Sequence, residues 1–180
     1  MKLIEIETRE ELRKAVNQKT AMMHFSNFAN EEGQIKVDEW VKLAKENGIP
    51  TFIDAAADTP PVSHLWDYAN MGYDLIAFSG GKAIRGPQCA GLLLGRKDLV
   101  AYALLNNSPH EDTIGRSQKV GKEEIVGMVK ALECYLKEEQ GRAPIARANR
   151  HHRGHWNPEH RGQKIAGDAR NSHQSASSLH

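Results

Sequence analysis

The alternation of short apolar runs with helix-like segments most constrains what this chain can fold into. Apolar runs typical of short buried strands lie at residues 3–6, 21–25, 52–53, 75–78 and 91–94. Between most of these runs, apolar residues recur every three or four positions, as they do on one face of a helix. Strands that alternate with helices of this length predict a layered α/β domain with a mainly parallel sheet.

The ends of the predicted helices carry recognisable signals. Thr8 and Glu11 have the spacing of a capping box, so a helix is expected to begin there. Gly48 and Gly72 follow two further periodic segments and are expected to end those helices. The segment 123–138 has the clearest amphipathic pattern. Its predicted core-facing stripe consists of Ile125, Val129, Leu132 and Leu136.

Charge divides the chain near residue 140. Residues 1–140 contain 17 Lys and Arg against 21 Asp and Glu, a net charge of −4. Residues 141–180 contain seven against two, a net charge of +5, and six of the nine histidines. This last segment has isolated apolar residues without periodicity, so it is expected to be disordered or poorly packed. The prediction is therefore one folded unit, residues 1–140, followed by a basic, histidine-rich tail, residues 141–180.

The tail offers weak signals for a metal site and for nucleic-acid binding. Four of its histidines lack regular ligand spacing, and no acid or cysteine completes a set, so no metal site is predicted. Its arginines are compatible with RNA contacts, but Trp156 is its single aromatic residue. Nonspecific electrostatic contact is the most that this composition predicts. The four histidines are His151, His152, His155 and His160.

Cysteine usage and the N-terminus bear on the cellular compartment. Cys89 and Cys134 provide no disulfide framework, and Cys89 is expected to be a small buried side chain beside a strand. The N-terminus becomes acidic at once, which argues against a signal peptide. No apolar run approaches the ~20 residues that span a bilayer. A soluble protein of the reducing cytoplasm is expected.

The segment Ser79-Gly80-Gly81-Lys82 follows a predicted strand and carries the first candidate chemistry. A Walker A phosphate loop would require glycine in place of Ile76 and a hydroxyl residue in place of Ala83, so nucleotide hydrolysis is disfavoured. A lysine on a small-residue loop suits Schiff-base chemistry better. Glycines leave room for a cofactor, and a partly desolvated lysine becomes nucleophilic. Taken alone, such segments are more often solvated loops.

Asp54 ends the predicted strand at 52–53 and adds a second candidate group. In a parallel sheet, ligands bind beyond the carboxyl ends of the strands, where both Asp54 and the Lys82 loop are expected. Pyridoxal phosphate requires an acid beside its ring nitrogen, because the protonated ring accepts electrons from a substrate carbanion. A turn or helix-cap role explains the position of Asp54 about equally well.

Two longer stretches resemble one family of enzymes. The stretch IDAAADTPPVSHLWDYANMGYDLIAFSGGKAIRGPQCAGLLLGRKDL resembles the lysine-bearing core of the selenocysteine synthase family, which includes D-glucosaminate-6-phosphate ammonia-lyases. The later IGRSQKVGKEEIVGMVKALE is similar to the segment that closes the large domain in the lyase branch. The resemblance extends from about Leu3 to Leu136, with several separate blocks in the correct order.

The resemblance implies a fold, a cofactor and site residues. The fold would be part of an aspartate-aminotransferase-like (fold type I) large domain that binds pyridoxal 5'-phosphate. Lys82 matches the family's cofactor lysine and the general base, Asp54 the partner of the pyridine nitrogen, and Ser79 a residue near the phosphate. Arg85 and Arg116 are implied contacts for a substrate anion. An ordinary surface or salt-bridge arginine is an equal alternative for each of these two.

The resemblance also implies a reaction, elimination or replacement at the carbon β to an amino group. The blocks SGGKAIRGPQ and GRSQKVGKEEIVG favour the ammonia-lyase branch, with a small amino-acid or amino-sugar-acid substrate and a homo-oligomeric assembly. Selenium transfer on a seryl-tRNA is the alternative. The family's preceding half and its small domain have no counterpart here, so a noncatalytic fragment that docks on a longer homologue is a further alternative. An RNA-binding protein acting through its tail is the last.

Overall fold

The computed structural model describes residues 2–141, with side chains through residue 138. The chain separates into two units, Met1–Ala143 and Pro144–His180. The predictions made for the tail at 141–180, including its disorder, its histidines and its RNA contacts, lie outside the described residues.

The first unit alternates helices and strands, and the α/β prediction is confirmed. A short 3-10 helix, Asn27–Ala29, follows the first strand directly. The other elements in chain order are α1 (Arg9–Ala15), β1 (Met23–Ser26), α2 (Val37–Glu46), β2 (Thr51–Asp54), α3 (His64–Met71), β3 (Leu75–Ser79), β4 (Gly91–Gly95), α4 (Lys97–Leu105) and α5 (Lys122–Gly141).

The four strands form one sheet in the order β1-β2-β3-β4. The first three strands are parallel, and β4 runs antiparallel to β3. The mainly parallel sheet predicted from the sequence is therefore confirmed. Because β1, β2 and β3 run in the same direction, their carboxyl ends lie at one edge of the sheet, which we call the carboxyl edge. Their first residues define the opposite, amino edge.

Alternation along the strands separates a buried sheet face from a more open one. Ile53 pairs with Phe25 and Ile76 in register, and Ile53 and Ile76 are fully buried. The helices α2, α3 and α5 contribute to the same hydrophobic core. Their buried residues are Trp40, Val41, Ala44, Leu65, Tyr68, Met128 and Tyr135. Side chains alternate between the two faces along a strand, and cross-strand partners share a face. The residues that directly follow Phe25, Ile53 and Ile76 therefore belong to the open face.

The helix-end signals are confirmed. The Thr8 hydroxyl accepts a hydrogen bond from the backbone N–H of Glu11 at 3.2 Å, and the Glu11 carboxylate accepts one from the backbone N–H of Thr8 at 3.0 Å. Gly48 and Gly72 follow α2 and α3 with φ angles of 66° and 102°. Glycine adopts this left-handed backbone conformation without the steric cost that other residues meet.

Two elements differ from the sequence predictions. Residues 3–6 form no strand, and Leu3 and Ile4 are exposed, because no described strand lies beside them. Helix α4 was not predicted. Its apolar residues are distributed around the helix rather than along one side, so Tyr102 and Leu104 remain exposed and no periodic signal appears.

The predicted stripe of α5 is partly wrong. Leu132 and Leu136 pack against the core, but Ile125 and Val129 are 54% and 56% exposed. The residues that complete the inward face are Met128, Ala131 and Tyr135. Two neighbouring faces of α5 carry apolar residues. The sequence alone does not determine which of them is buried, because that depends on what the helix packs against.

Cys89 is exposed, which corrects the prediction of a buried side chain. It lies in the connection before β4 rather than in the sheet, so the neighbouring apolar strand does not cover it. Cys134 is also exposed, and neither cysteine forms a disulfide. In the part of the chain that the structure describes, no helix has both the length and the apolar character needed to cross a bilayer.

Candidate functional site

Several polar side chains meet at the carboxyl edge of the sheet. Ser26, Asp54 and Ala77 are opposite one another in register on β1, β2 and β3. Because directly paired residues project from the same side of a sheet, their side chains share the open face. Ser79 lies two residues beyond Ala77 and so also projects from this face. Lys82 follows in the turn after β3.

Asp54 uses only one of its carboxylate oxygens in local structure. The backbone N–H of Ala56 donates to Asp54 Oδ1 at 3.0 Å, which is an Asx turn of the kind considered as the alternative. The other oxygen, Oδ2, accepts no hydrogen bond from the described residues, and the side chain is half-buried. The turn therefore holds the carboxylate in place while leaving one oxygen for another partner.

The Lys82 turn is closed by backbone hydrogen bonds. The N–H of Gly86 donates to the carbonyl of Gly80 at 2.7 Å, and the N–H of Arg85 donates to the carbonyl of Lys82 at 2.9 Å. The N–H of Gly80 donates to the carbonyl of Ala90 at 3.0 Å, which ties the turn to the start of β4. We call residues 80–86, closed in this way, the lysine turn.

The glycines of the lysine turn are explained by packing within the protein. A Cβ on Gly80 would lie 2.5 Å from the carbonyl oxygen of Ala90 and 2.5 Å from Met128 Sδ. A Cβ on Gly81 would lie 2.5 Å from Gln88 Oε1. The sequence predicts that these glycines leave room for a cofactor. The structure instead fills their Cβ positions with neighbouring protein atoms.

The functional groups of Lys82 and Ser79 are available to a ligand. Lys82 is exposed, and its ammonium group makes no hydrogen bond or ion pair with any described residue. The hydroxyl of Ser79 is likewise without a hydrogen-bond partner within residues 2–138. A free amine, a hydroxyl and a carboxylate oxygen therefore belong to the same edge of the sheet.

The two arginines each have a protein partner. Arg85 forms an exposed ion pair with Glu138 on α5, which is the salt-bridge alternative. Its backbone adopts a left-handed φ of 60° at the end of the lysine turn. Arg116 is half-buried and donates to the Ser108 hydroxyl at 3.0 Å. Within the described residues, no hydrogen bond connects either guanidinium to the other candidate side chains.

A polar cluster at the same edge was missed by the sequence argument. Asn27 follows β1 directly, and its Nδ2 donates to Asp58 Oδ2 at 2.9 Å and lies 3.0 Å from Tyr68 Oη. The Tyr68 hydroxyl also donates to Asp58 Oδ2, at 2.8 Å. Burial, followed by this hydrogen bond and the charge of Asp58, raises the pKa of Tyr68 well above its ordinary value. The buried Oδ1 of Asn27 has no partner in the described region.

The signal for this cluster was present but weak. Ser26-Asn27 is a polar pair at the end of an apolar strand, in the same position relative to β1 that Asp54 has relative to β2. Nothing in the local sequence connects Asn27 to residues 31 and 41 positions away. Two histidines of the first unit pack against neighbouring groups. His24 stacks on Phe52 with ring centroids 5.1 Å apart, and His64 Nδ1 contacts the carbonyl of Asp58.

The donor set at the carboxyl edge fits pyridoxal phosphate. The unpaired amine of Lys82 could bond to the cofactor's carbonyl carbon, and Asp54 Oδ2 could accept a hydrogen bond from a ring N–H. The Ser79 hydroxyl could donate a hydrogen bond to a phosphate oxygen. A metal fits less well, because the described residues contain no cluster of three or more potential His, Cys, Asp or Glu ligands.

The chain is similar in sequence to one family of known enzymes. The model of the aminotransferase class-V family matches residues 4–112. The D-glucosaminate-6-phosphate ammonia lyase of Salmonella typhimurium is 34% identical over 143 residues, which cover 78% of this chain and 36% of that protein. An L-seryl-tRNA(Sec) selenium transferase of Aquifex aeolicus is 30% identical, with 74% of this chain and 31% of that protein covered.

A solved structure agrees with these relatives. The structure of a D-glucosaminate-6-phosphate ammonia-lyase superposes with a TM-score of 0.60 and 34% sequence identity. The match covers 77% of this chain and 35% of that one. The chain thus spans about a third of the length of the curated relatives that it matches.

Proposed function

Because the chain belongs to the aminotransferase class-V family, we propose that it acts as a pyridoxal-phosphate-dependent lyase of the selenocysteine synthase-like branch. The enzymes of this family use pyridoxal phosphate. The observation that carries the proposal is the carboxyl edge, where Lys82 has an unpaired amine and Asp54 keeps one carboxylate oxygen free. Both groups follow parallel strands at their carboxyl ends, which is where ligands bind in sheets of this kind.

Each residue has a defined task in this proposal. The Lys82 amine would hold the cofactor covalently, and the same amine would accept a proton from the substrate's α carbon. Asp54 Oδ2 would keep the ring nitrogen protonated, and the Ser79 hydroxyl would donate to the phosphate. Bound pyridoxal phosphate would supply the electron withdrawal that elimination at the β carbon requires. The Asx turn to Ala56 keeps the Asp54 carboxylate oriented for its task.

We propose a small amino-acid or amino-sugar-acid substrate, with Arg85 and Arg116 as candidate contacts for its anionic group. The lyase similarity supports this substrate class. Selenium transfer on a seryl-tRNA is the second candidate, supported by the 30% identical relative. A homo-oligomer and a cytoplasmic location complete the proposal, the latter supported by two unpaired cysteines.

A noncatalytic role is the competing candidate, and a specific observation favours it. Helix α5 exposes an apolar surface formed by Ile125, Val126 and Val129. Exposed apolar patches of this kind are typical of surfaces that other protein covers. Since the chain spans about a third of its relatives, a longer homologue is the partner that this alternative requires. Folding that depends on protein concentration would support it.

The deciding experiment measures covalent attachment of the cofactor to Lys82. Purified full chain is incubated with pyridoxal phosphate, the absorbance spectrum is recorded, and borohydride fixes any adduct for peptide mass spectrometry. We expect a near-visible band and an adduct on Lys82 that Lys82→Ala lacks. Lys97→Ala, which removes another exposed lysine, should retain both. Adducts spread evenly over exposed lysines, with no preference for Lys82, would reject the proposal.

A further inference from the structure

We propose that Met128, a buried side chain on α5, is a positioning residue for Lys82 because it packs against the lysine turn and fixes the backbone of the turn. This packing role can be tested without a cofactor. The effect on Lys82 chemistry rests on the proposed function, in which the Lys82 amine must meet a bound cofactor in one geometry.

Met128 lies against both ends of the lysine turn. Its side chain is 4% exposed, and its Sδ lies 2.5 Å from the Cβ position of Gly80 and 2.9 Å from that of Gly86. These two glycines are also the residues joined by the 2.7 Å hydrogen bond that closes the turn. A single thioether therefore packs on the two backbone segments between which Lys82 is held.

A second element also confines the turn. The carbonyl oxygen of Ala90 lies 2.5 Å from the Cβ position of Gly80. Gln88 Nε2 donates to the carbonyl of Gly81 at 3.2 Å. The backbone at Gly80 thus lies between the start of β4 and α5, with no space for a side chain.

Other contacts between α5 and the turn are weaker. The Arg85–Glu138 ion pair joins the end of the turn to the end of α5, but both side chains are solvent-exposed. Such pairs contribute little to stability because water and salt screen them. Ala131 Cβ lies 3.3 Å from the Cβ position of Gly86, farther than the 2.9 Å of Met128 Sδ. Met128 Sδ is among the nearest atoms to the Cβ positions of both glycines.

Fixing the turn matters because no hydrogen bond or ion pair to a described residue restrains the Lys82 side chain. Its ammonium group contacts no described partner, so the reach and direction of the amine are set by the backbone of the turn. Reactions between held groups lose rate steeply when one group is displaced by about 1 Å. Truncation of Met128 should therefore alter the reactivity of Lys82 more than it alters the rest of the fold.

The first test needs no cofactor and compares two equivalent truncations. Met128→Ala and Met23→Ala remove the same atoms from sites that are 4% and 3% exposed, but Met23 begins β1 at the amino edge. Hydrogen exchange is measured at the amides of Arg85 and Gly86 relative to those of β2. We expect selective acceleration of about tenfold or more in Met128→Ala only. Equal acceleration in both variants would overturn the proposal.

The second test uses space rather than stability. Gly86→Ala should loosen the turn, because its Cβ meets Met128 Sδ at 2.9 Å, whereas its other neighbours lie at 3.3 Å. In the double variant Gly86→Ala/Met128→Ala the new methyl group occupies the vacated space, so amide protection should return toward wild type. Gly80→Ala should not be rescued by Met128→Ala, because the Ala90 carbonyl still blocks it. Rescue of both glycine variants, or of neither, would contradict the proposed packing of Met128 against the turn.

The third test connects the turn to the proposed function. The rate of borohydride-fixed attachment of pyridoxal phosphate to Lys82 and its pH profile are measured for wild type, Met128→Ala and Met128→Leu. We expect Met128→Ala to be slowed by about tenfold or more, with a displaced pH profile, and Met128→Leu to remain near wild type. An unchanged rate and profile in Met128→Ala would reject the catalytic meaning. Failure of the wild type itself to form the adduct would reject the proposed function, while the exchange tests still decide the positioning role.

Discussion

The two edges of the sheet use similar polar residues in opposite ways. At the amino edge, Asp74 accepts from the backbone N–H and the hydroxyl of Thr51, at 2.8 and 3.1 Å. Its own N–H donates to the Thr51 hydroxyl at 3.0 Å, and its other carboxylate oxygen pairs with Arg96 at 3.3 Å. At the carboxyl edge, the Asp54 carboxylate accepts one hydrogen bond, and the Lys82 ammonium group donates none to a described residue. The comparison separates a carboxylate used to hold strands together from one left for a ligand.

The largest stability effect is expected from Asp74→Ala. Its carboxylate satisfies two donors of Thr51, a residue that is 1% exposed. Buried donors left without acceptors cost about 1–3 kcal/mol each, so we expect unfolding free energy to fall by about 3 kcal/mol or more. Urea unfolding measures this change. Attachment of cofactor to Lys82 should continue in the folded fraction, and its loss there would show that the two edges are not separate in function.

The second prediction concerns Asp54→Asn, which should weaken cofactor binding while leaving stability nearly unchanged. Asp54→Asn preserves the acceptor oxygen for the Ala56 N–H, so the unfolding free energy should change little. It removes the charge that would face the cofactor's ring nitrogen. Losing a hydrogen bond to a charged group costs about 1.5–3 kcal/mol, so we expect cofactor affinity to fall by about 10- to 100-fold. Spectroscopic titration with pyridoxal phosphate measures it, and wild-type affinity in this variant would remove Asp54 from the site.

The strand ends could be predicted from the sequence because they depend on local pattern. A short apolar run followed by Asp54, or by Ser79 and Lys82, places a polar residue at the end of a strand, and parallel strands bring such ends to one edge. Gly48 and Gly72 were identified as helix ends for the same reason, since a left-handed residue at a helix terminus has a local signature.

Features that depend on distant contacts were not predictable in this way. The role of Met128 exists because α5 packs beneath a turn more than forty positions earlier in the chain. The sequence stripe therefore selected Ile125 and Val129, which the structure exposes. The Asn27–Asp58–Tyr68 cluster likewise joins three segments whose separate sequences give no sign of a shared hydrogen-bond network.

A third prediction uses one buried tyrosine near each edge. Burial raises the pKa of Tyr68, helped by its hydrogen bond to Asp58, and burial raises that of Tyr73, helped by the charge of Asp38. Above about pH 10 the unfolded chain loses these protons while the folded chain keeps them. The folded state then binds more protons, so stability falls as pH rises, by at most about 1.4 kcal/mol per pH unit for each tyrosine.

Single variants divide this slope between the edges. Tyr68→Phe and Tyr73→Phe should each reduce the decline in unfolding free energy above about pH 10, by at most about 1.4 kcal/mol per pH unit, measured by urea unfolding at several alkaline pH values. The exposed Tyr102 provides the control, and Tyr102→Phe should retain the wild-type slope. A slope that is unchanged after loss of both Tyr68 and Tyr73 would show that other groups dominate the alkaline transition.

The smallest effect on stability is expected at Glu138, whose carboxylate pairs with an arginine as that of Asp74 does, but at an exposed position. Glu138→Gln breaks the ion pair with Arg85, but both side chains are solvent-exposed, so the melting temperature should remain near that of wild type. The Arg85 guanidinium would then be free beside the lysine turn. If Arg85 contacts a substrate anion, Glu138→Gln should strengthen inhibition by inorganic phosphate of cofactor attachment to Lys82, and Arg85→Ala should weaken it. Equal inhibition in both variants would assign Arg85 to the ion pair alone and would remove it from the proposed substrate contacts.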